Sequence, residues 1–521
     1  GVIEPRVHRE IERKLEVPAR FRVPALRGAA GITEVIPLPT LRLIAVYYDT
    51  DDLRLARHHV TLRRRTGGGD DGWHLKLPHT DNATRDEVQL PLHTTGNPPP
   101  QLATMVLGIT RGAALRPVAT LRTERRPQLL QGEDGQPLAE LTDDRVTVVI
   151  DGQVSGRFRE MEVEAATGRT AADLDPVVHA VVAAGATESG FASKAARALG
   201  PRAAEPPDIA ATPPVRRRDP AGAAVKALIA QNAAAFVHQD LRVRRNLPDA
   251  IHQMRVAARR LRSVLKVFSP LLEPEWSTAL RDELAWIAGQ LGGARDREVL
   301  EGRLLAGLEQ LAAGGVRDTP KAATVVRREL ELDQDEATKQ VIEAMGSLRY
   351  LALLDALVDA ARSPRLTAAA DATSARALPP MMTATWKRLS RAVRKLSVEG
   401  ADDAWHQARI RAKQARYAAN SLVLVFGTPA RRMAEQLEQV TELLGRHQDA
   451  LIAAEAARSL AEGRGVGGRA GYVLGLLHGE QLAEARAIRR QFDGVWQEVA
   501  RPKWRRWLQP RSGARRTDGA A

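Results

Sequence analysis

The 521-residue sequence predicts a multidomain chain of α and β type, with an all-β half followed by an all-α half. Three observations carry this reading. Residues 1 to about 165 break into short alternating segments separated by the turn-forming stretches "TGGGDDG" (66–72), "GNPPPQ" (96–101) and "GEDGQP" (132–137). Residues 200–220, "GPRAAEPPDIAATPPVRRRDP", hold too many prolines for a helix or a central strand and predict a stiffened linker. Beyond it Ala, Leu, Arg and Glu dominate, and apolar residues recur at helical spacing to about residue 500.

The strand candidates are 8–17, 43–49, 59–65, 72–77, 86–92, 117–125, 138–150 and 157–165. Eight short strands at such spacing predict a barrel or a sandwich. A helix is expected over Thr170–Ala184 and another near Ser193–Leu199. In the second half "AVKALIAQNAAAFVHQDL" (224–241) is a clear amphipathic helix, and the tail "RPKWRRWLQPRSGARRTDGAA" reads as basic and loose. The expected division is therefore 1–200, a linker 201–219, a helical domain 220–505 and a tail 506–521.

Composition narrows the function. Aromatics make up only 4% of the chain, so the cores must be built from Ala, Leu and Val. The 77 Lys and Arg outnumber the 63 Asp and Glu, giving a net charge of +14 that favours an anionic partner: nucleic acid, polyphosphate or an acidic membrane surface. The absence of cysteine excludes disulfides, thiolate metal sites and Cys nucleophiles, so any metal must be held by carboxylates and imidazoles. No run of about 18 apolar residues is present to span a membrane, and the N-terminus lacks the basic-then-apolar order of a signal peptide. A cytoplasmic protein is the expectation.

The strands carry their charge in a pattern. In "HREIERKLEV" (8–17) an extended chain puts Glu10, Glu12, Lys14 and Glu16 on one face and Ile11, Leu15 and Val17 on the other. A helical reading would instead pair Glu10 with Lys14 at i, i+4. Period two also groups Arg63 with Arg65, His74 with Lys76, Glu87 with Gln89, and Glu160 with Glu162 and Glu164. Any one such face could meet solvent. Over all strands, acidic residues gather in the first and last and basic ones between, as expected of charged faces converging inside a closed barrel. An interior so charged is tolerable only if its charges pair, or if a metal and an anion complete them.

"EIERK" matches the E-x-E-x-K signature of the CYTH domain, the triphosphate tunnel metalloenzymes. The later elements follow in that family's order: "YYDT" (47–50), "LRRR" (62–65), "LKLP" (75–78), "EVEA" (162–165) and "SKAARAL" (193–199). The resemblance covers roughly residues 5 to 200. It implies an eight-stranded antiparallel barrel, or tunnel, that binds a triphosphate with Mg²⁺ or Mn²⁺. It also implies metal ligation by Glu10, Glu12, Glu162 and Glu164, and phosphate clamping by Lys14, Arg63, Arg65, Lys76, Lys194 and Arg197. In "ATLRTERRPQ" the family has inward basic residues two apart, whereas here Glu124 follows Arg122, so Arg125 serves if the register shifts by one. The "AELTDD" strand offers Asp143 or Asp144 to the catalytic group of Glu10, Glu12 and Lys14, and parity with Glu140 favours Asp144.

The helical half repeats itself. "HQMRVAARRLR" (252–262) is followed by "LGGARD" (291–296), and "HQARIRAKQAR" (406–416) by "LGRHQD" (444–449). On a helix, offsets 0, 3, 7 and 10 fall at about 0, −60, −20 and −80 degrees, a single stripe. His252, Arg255, Arg259 and Arg262 form one stripe, and His406, Arg409, Lys413 and Arg416 the other. Such stripes repel themselves unless an anion lies across them. From about residue 219 to 505 the chain resembles the CHAD domain, the conserved histidine α-helical domain. That resemblance implies two pseudo-symmetric four-helix bundles with the stripes lining a groove for inorganic polyphosphate. In the second copy Gln448 replaces the Arg before Asp, so that half brings less charge.

Together these readings predict a metal-dependent inorganic triphosphatase, with tripolyphosphate as substrate, joined to a polyphosphate-binding module and located in the cytoplasm or at polyphosphate granules. The alternatives on the same tunnel are a nucleotide cyclase or an organic triphosphatase acting on ATP or thiamine triphosphate; from another class comes a non-catalytic polyphosphate-binding protein. No GxxxxGK stretch supports a P-loop. No helix-turn-helix, zinc or RNP signature supports nucleic-acid binding.

Overall fold

The structure, a computed structural model, describes residues 3–510 apart from 80, 82, 94 and 95. The chain divides into two compact units after Asp208. Most of the segment expected to be a loose tail, 511–521, lies outside the described residues.

The first unit holds ten strands: β1 (Arg6–Val17), β2 (Ile32–Pro37), β3 (Leu41–Asp49), β4 (Thr61–Thr66), β5 (Gly72–Pro78), β6 (Thr84–Leu90), β7 (Arg116–Gly132), β8 (Pro137–Ile150), β9 (Gln153–Ala165) and β10 (Thr187–Glu188). Eight of them close into an antiparallel ring in the order β1, β6, β5, β4, β3, β7, β8, β9 and back to β1. Residues 8–17 are strand, not helix: Lys14 stands opposite Glu162 and Glu12 opposite Glu164 across the seam between β1 and β9. The ring decides between barrel and sandwich. β2 and β10, which alternation along the sequence did not reveal, are short additions on β7 and β1.

The barrel is inverted relative to an ordinary one, charged inside and apolar outside. Leu15, Leu141, Met161 and Val163 face outward and are buried beneath helix α1 (Ala171–Ala183), which presents Leu174, Val177, Val178 and Val181. Each such side chain removed from water contributes about 1.5–3 kcal/mol, so the core lies between barrel and helix and leaves the tunnel free for polar groups. Thr170 and Asp173 form a capping box at the start of α1. Helix α2 (Lys194–Leu199) is capped by Ser193, whose hydroxyl accepts from the Ala196 N–H at 2.9 Å. Ala195 of α2 packs with Ala45, Leu121, Val146 and Val148, so one stretch of the interior is apolar.

Part of the proline-rich stretch folds with the barrel unit. Pro201–Ala204 forms a 3-10 turn with Ala203 buried, and Asp208 accepts 2.7 Å hydrogen bonds from Arg57 and Arg111. Farther along, Val215 belongs to the helical core. Prolines stiffen this segment without keeping its side chains from packing.

The second unit contains two four-helix sets: α3 (Ala221–Arg244), α4 (Ala250–Val267), α5 (Pro274–Ala313) and α6 (Thr319–Met345), then α8 (Ser374–Val393), α9 (Asp402–Phe426), α10 (Thr428–Ala461) and α11 (Gly468–Val499). The intervening α7 (Leu348–Arg362) packs on α3. α4 packs directly against α9, the two stripe-bearing helices, and small buried residues such as Ala257, Ala258, Ala408 and Ala412 line this part of the core. The 3-10 segment Pro502–Leu508 places Trp507 and Leu508 against that core, so the chain is still packed beyond residue 505.

Candidate functional site

Strand parity aims the charged faces of β1, β4, β5, β7, β8 and β9 into a tunnel cavity of about 330 Å³. Its wall carries the carboxylates of Glu10, Glu12, Asp70, Glu140, Glu162 and Glu164 and, in equal number, the cations of Lys14, Arg63, Arg65, Lys76, Arg125 and Lys194. The charges interlock. Lys76 Nζ lies 2.6 Å from Glu10, 3.7 Å from Glu12 and 3.8 Å from Glu87. Lys194 Nζ lies 3.0 Å from Asp144 and 3.3 Å from Glu160, and pairs with Glu162. Arg125 donates two bonds to Asp144 at 2.8 and 2.7 Å and reaches Glu162 at 3.3 Å. Arg63 approaches Glu87 at 3.7 Å, Arg65 pairs with Asp70, and Lys14 lies 3.1 Å from Glu12.

This pairing sets the protonation states. Burial pushes Glu12 up, but Lys76 and Lys14 outweigh it and hold the carboxyl at about 2. Glu87 is held at about 2 in the same way, by Arg63 and Lys76 against burial. Burial opposes the charge on Lys76, Lys194 and Arg125, yet their carboxylates overcome it and raise all three above their usual values. Glu164 goes the other way: burial, then the charge of Glu10, pushes it up to about 7.

The structure settles the two positions the sequence left open. Inward residues on β7 are odd-numbered, so Leu121, Thr123 and Arg125 face the tunnel while Arg122 is exposed on the outside. No register shift is needed; Thr123 simply stands where a second inward cation was expected. On β8 Asp144 is fully buried against Arg125 and Lys194, whereas Asp143 points outward and is gripped by Arg159 at 2.8 Å through both carboxylate oxygens. Asp143 is therefore a strut of the outer wall. Arg197 also leaves the cavity wall, stacking over Phe158 at 4.3 Å with its nearest carboxylates at Glu16 (3.4 Å) and Glu160 (3.8 Å).

A divalent cation fits one end of the charge network. One ligand atom each of His8, Glu10 and Glu164 lies within 4.8 Å of the others, an oxygen-rich set with one imidazole. The raised Glu164 marks crowded negative charge that a cation would relieve. Glu12 lies beside this group, but Glu162 is committed to Lys194 and Arg125. Sequence reasoning missed His8, although it shares the parity of Glu10 and Glu12. It also missed Asp70, whose loop position gave no alternation to follow, and gave no role to Tyr47, which shares the inward parity of Leu43 and Ala45.

In the helical unit the two stripes meet. His252, Arg255 and Arg259 of α4 and His406, Arg409 and Lys413 of α9 line one groove of about 680 Å³. Arg295, Arg297 and Arg303 of α5 join them, cations that no stripe rule had singled out. Gly292 in "LGGARD" makes room for this: a Cβ there would sit 3.1 Å from the Arg255 guanidinium. Arg255 bonds Asp296 at 2.5 Å, and His406 Nδ1 lies 3.4 Å from the Gln448 side-chain oxygen Oε1. Burial, then Arg409, Arg259 and Arg255, pushes Lys413 down to about 7, and burial with Arg295 lowers His252. Arg262 and Arg416 lie outside the groove. Ten residues carry them roughly 15 Å along their helices from the histidines. Arg262 is exposed, and Arg416 pairs with Glu438 at 2.6 Å.

Among known families, the CYTH domain matches residues 8–184 and the CHAD domain residues 227–458. An uncharacterized protein of Mycobacterium tuberculosis, from strains H37Rv and CDC 1551, is 34% identical over 519 residues, covering 95% of this chain and 97% of that one. Among solved structures, PptA from Streptomyces chartreusis is 31% identical with a TM-score of 0.47, covering 54% of this chain and all of that one. The CHAD domain from the plant Ricinus communis is 23% identical with a TM-score of 0.44, covering 55% of this chain and 94% of that one. The tunnel belongs to a metal-dependent class of enzymes acting on phosphoryl groups, of triphosphatase type. The chain itself belongs to the proteins that join a CYTH domain to a CHAD domain.

Proposed function

We propose that the chain is an Mg²⁺- or Mn²⁺-dependent inorganic triphosphatase that hydrolyses tripolyphosphate in its β-tunnel and binds inorganic polyphosphate in its helical groove. The observation that carries this reading is the tunnel lining: carboxylates and cations in equal number along the cavity wall, with a metal-ligand group at His8, Glu10 and Glu164. A metal–triphosphate complex brings both signs at once. Carboxylates then turn to the metal and Arg63, Arg65, Lys76, Arg125 and Lys194 to phosphate oxygens, so that each buried charge exchanges one partner for another.

Each residue has work that its surroundings suit. His8, Glu10 and Glu164 would hold the metal, with Glu12 alongside; when bound, the ion supplies a Lewis acid for the phosphoryl oxygens. Arg and Lys around the wall bind and orient the chain of phosphates and bear the charge that develops as the terminal phosphoryl group transfers to water. Glu12, held charged at neutral pH by Lys14 and Lys76, can accept a hydrogen bond from the attacking water and orient it. Asp144 acts as a positioning residue that fixes Arg125 and Lys194. The products are orthophosphate and pyrophosphate.

Substrate profiling tests this. The purified chain, with saturating Mg²⁺ or Mn²⁺, should release phosphate from tripolyphosphate faster than from ATP or thiamine triphosphate. Cyclic AMP from ATP would make it a cyclase; preference for an organic triphosphate would change the substrate; no turnover at all would leave a binding protein. Competition between long-chain polyphosphate and DNA tests the groove, with polyphosphate expected to win. No helix among the described residues is long and apolar enough to cross a membrane, and a cytoplasmic location at polyphosphate granules agrees with the proposed ligand.

A further inference from the structure

The helical unit has a second concentration of positive charge, away from the groove. Arg388 and Arg391 of α8, Lys395 just past its end, and Arg411 of α9 line a separate hollow of about 440 Å³ in which Asp403 is the one acidic side chain. The side chains of Arg388, Arg391 and Lys395 make no hydrogen bond or ion pair to any described residue, and the Arg411 side chain bonds Gln414 at 3.2 Å. Lys266, at the end of α4, feels Arg411 and Arg388 across the helix packing. Burial, then these neighbouring guanidinium groups, pushes it below its usual value. Elsewhere on the helical unit solvent-accessible arginines pair with carboxylates, as Arg349 does with Glu283 and Arg416 with Glu438. Here the exposed side chains of Arg388, Arg391 and Lys395 converge with Arg411, and Asp403 is the single carboxylate lining the hollow.

The patch is not a by-product of the repeat. Arg411 aligns with Ala257 of the first copy, and Ala257 is buried in the core. On α9, residues 403, 407 and 411 lie roughly 130° around the helix from the His406, Arg409 and Lys413 stripe, so one helix presents two cationic faces. The stripe on α4 supplies a connection. Positions 252, 255, 259, 262 and 266 continue the 3–4 spacing unbroken: the first three line the groove, and Arg262 and Lys266 are exposed beyond it. The row is roughly 21 Å long at 1.5 Å per residue.

We propose that Arg388, Arg391, Lys395 and Arg411 form a second anion site, and that a long polyphosphate chain seated in the groove extends along Arg262 and Lys266 into it. The proposal rests on the reading of the groove as a polyphosphate site. Its consequence is discrimination by length, since a chain of a few phosphates fills the groove alone, whereas a long chain engages both sites and gains from the second without a second encounter.

The full-length chain is titrated in metal-free buffer with long-chain polyphosphate and with a chain of a few phosphates, at several salt concentrations. The variant R388A/R391A/K395A should bind the long chain about tenfold more weakly, with a log–log salt slope flatter by roughly two to three released counterions, and should bind the short chain as the parent does. A thermal melt confirms that the variant is folded. Because these cations are solvent-facing and unpaired, the charge-keeping variant R388K/R391K should restore affinity if charge is what matters. Unchanged long-chain affinity and slope in the folded variant overturns the second site. Equal losses for long and short chains also overturn it, because the patch would then act through the groove. A larger loss for duplex DNA than for polyphosphate would assign the patch to nucleic acid instead. R255A/R259A separates the two readings: if that variant keeps both affinities, the groove reading fails, whatever the patch does.

Discussion

Glu12 is the residue on which most of the tunnel's electrostatics turn, standing between Lys14 at 3.1 Å and Lys76 at 3.7 Å with almost no exposure. Glu12→Gln keeps its size and removes its charge, and Glu10→Gln does the same to the metal group. Either change should lower tripolyphosphate hydrolysis by at least about a hundredfold, the scale of losing one preorganised charge partner in a reaction of this kind. The fold should survive, because Lys76 retains two carboxylates in either variant, Glu87 together with Glu10 or Glu12. Near-normal turnover by Glu12→Gln at saturating Mg²⁺ would refute the assignment. The acid limb of stability offers a second readout. A carboxyl held at about 2, below its ordinary 4.3, stabilises the fold above the higher value and loses that contribution as pH falls through the lower one. Glu12→Gln should therefore melt with less dependence on pH between about 4.5 and 2 than the parent.

At the scale of elements, strand parity explains both what the sequence revealed and where it stopped. On β1, β4, β5 and β9 alternation is clean, and Glu10, Glu12, Lys14, Arg63, Arg65, Lys76, Glu162 and Glu164 all line the tunnel as alternation requires. On β7 three basic residues and a glutamate crowd positions 122–126, so composition alone could not tell Arg122 from Arg125. On β8 adjacent aspartates hid the inward one until Arg159 was seen holding Asp143 outside. Two substitutions on β7 test the assignment. Arg125→Lys keeps the charge but loses the two-pronged grip on Asp144, and should cut kcat/KM by about tenfold or more. Arg122→Ala, on the outer face, should leave both kcat and KM unchanged. In the helices the 3–4 spacing located the stripes, but it says nothing of where a groove ends, so Arg262 and Arg416 were included, and Arg297 and Arg303 overlooked, while Arg295 stood out only as the Arg of "LGGARD". Lys413 makes the groove pH-sensitive. An ordinary lysine titrates near 10.4, and Lys413 is pushed down to about 7. Between those values the unfolded chain holds a proton that the empty groove does not, so stability should rise with pH across that window and level off below about 7. Polyphosphate affinity should run the other way, falling from pH 6 to pH 8 as the charge is lost. Lys413→Met should flatten both curves, as read by urea melts and calorimetric titration. His252, itself lowered by burial and Arg295, should add to binding only below its usual range.

For the whole molecule, each unit has its own core and its own charged cavity. The barrel buries Leu15, Leu141, Met161 and Val163 under α1, and the helical unit buries a separate Ala- and Leu-rich core around α4 and α9. Neither cavity draws a lining residue from the other unit. The sequence announced this division through the change from period two to helical spacing, but the prolines of 201–219 pointed to a boundary broader than the structure has. Residues up to Asp208 fold with the barrel, where Asp208 joins Arg57 and Arg111, and a cut at residue 200 would strip that buried ion pair and expose two arginines. A fragment ending at Asp208 should therefore cleave tripolyphosphate with kcat close to that of the full chain, and one ending at Gly200 should be less stable by about 3–5 kcal/mol, the cost of breaking a buried pair from one side. A fragment beginning at Ile209 should bind long-chain polyphosphate with the parent's salt dependence and cleave nothing. Thermal melts, phosphate release and calorimetry on the three fragments decide the matter. If the fragment ending at Asp208 folds but is inactive, the tunnel depends on the helical unit, and catalysis belongs to the molecule as a whole.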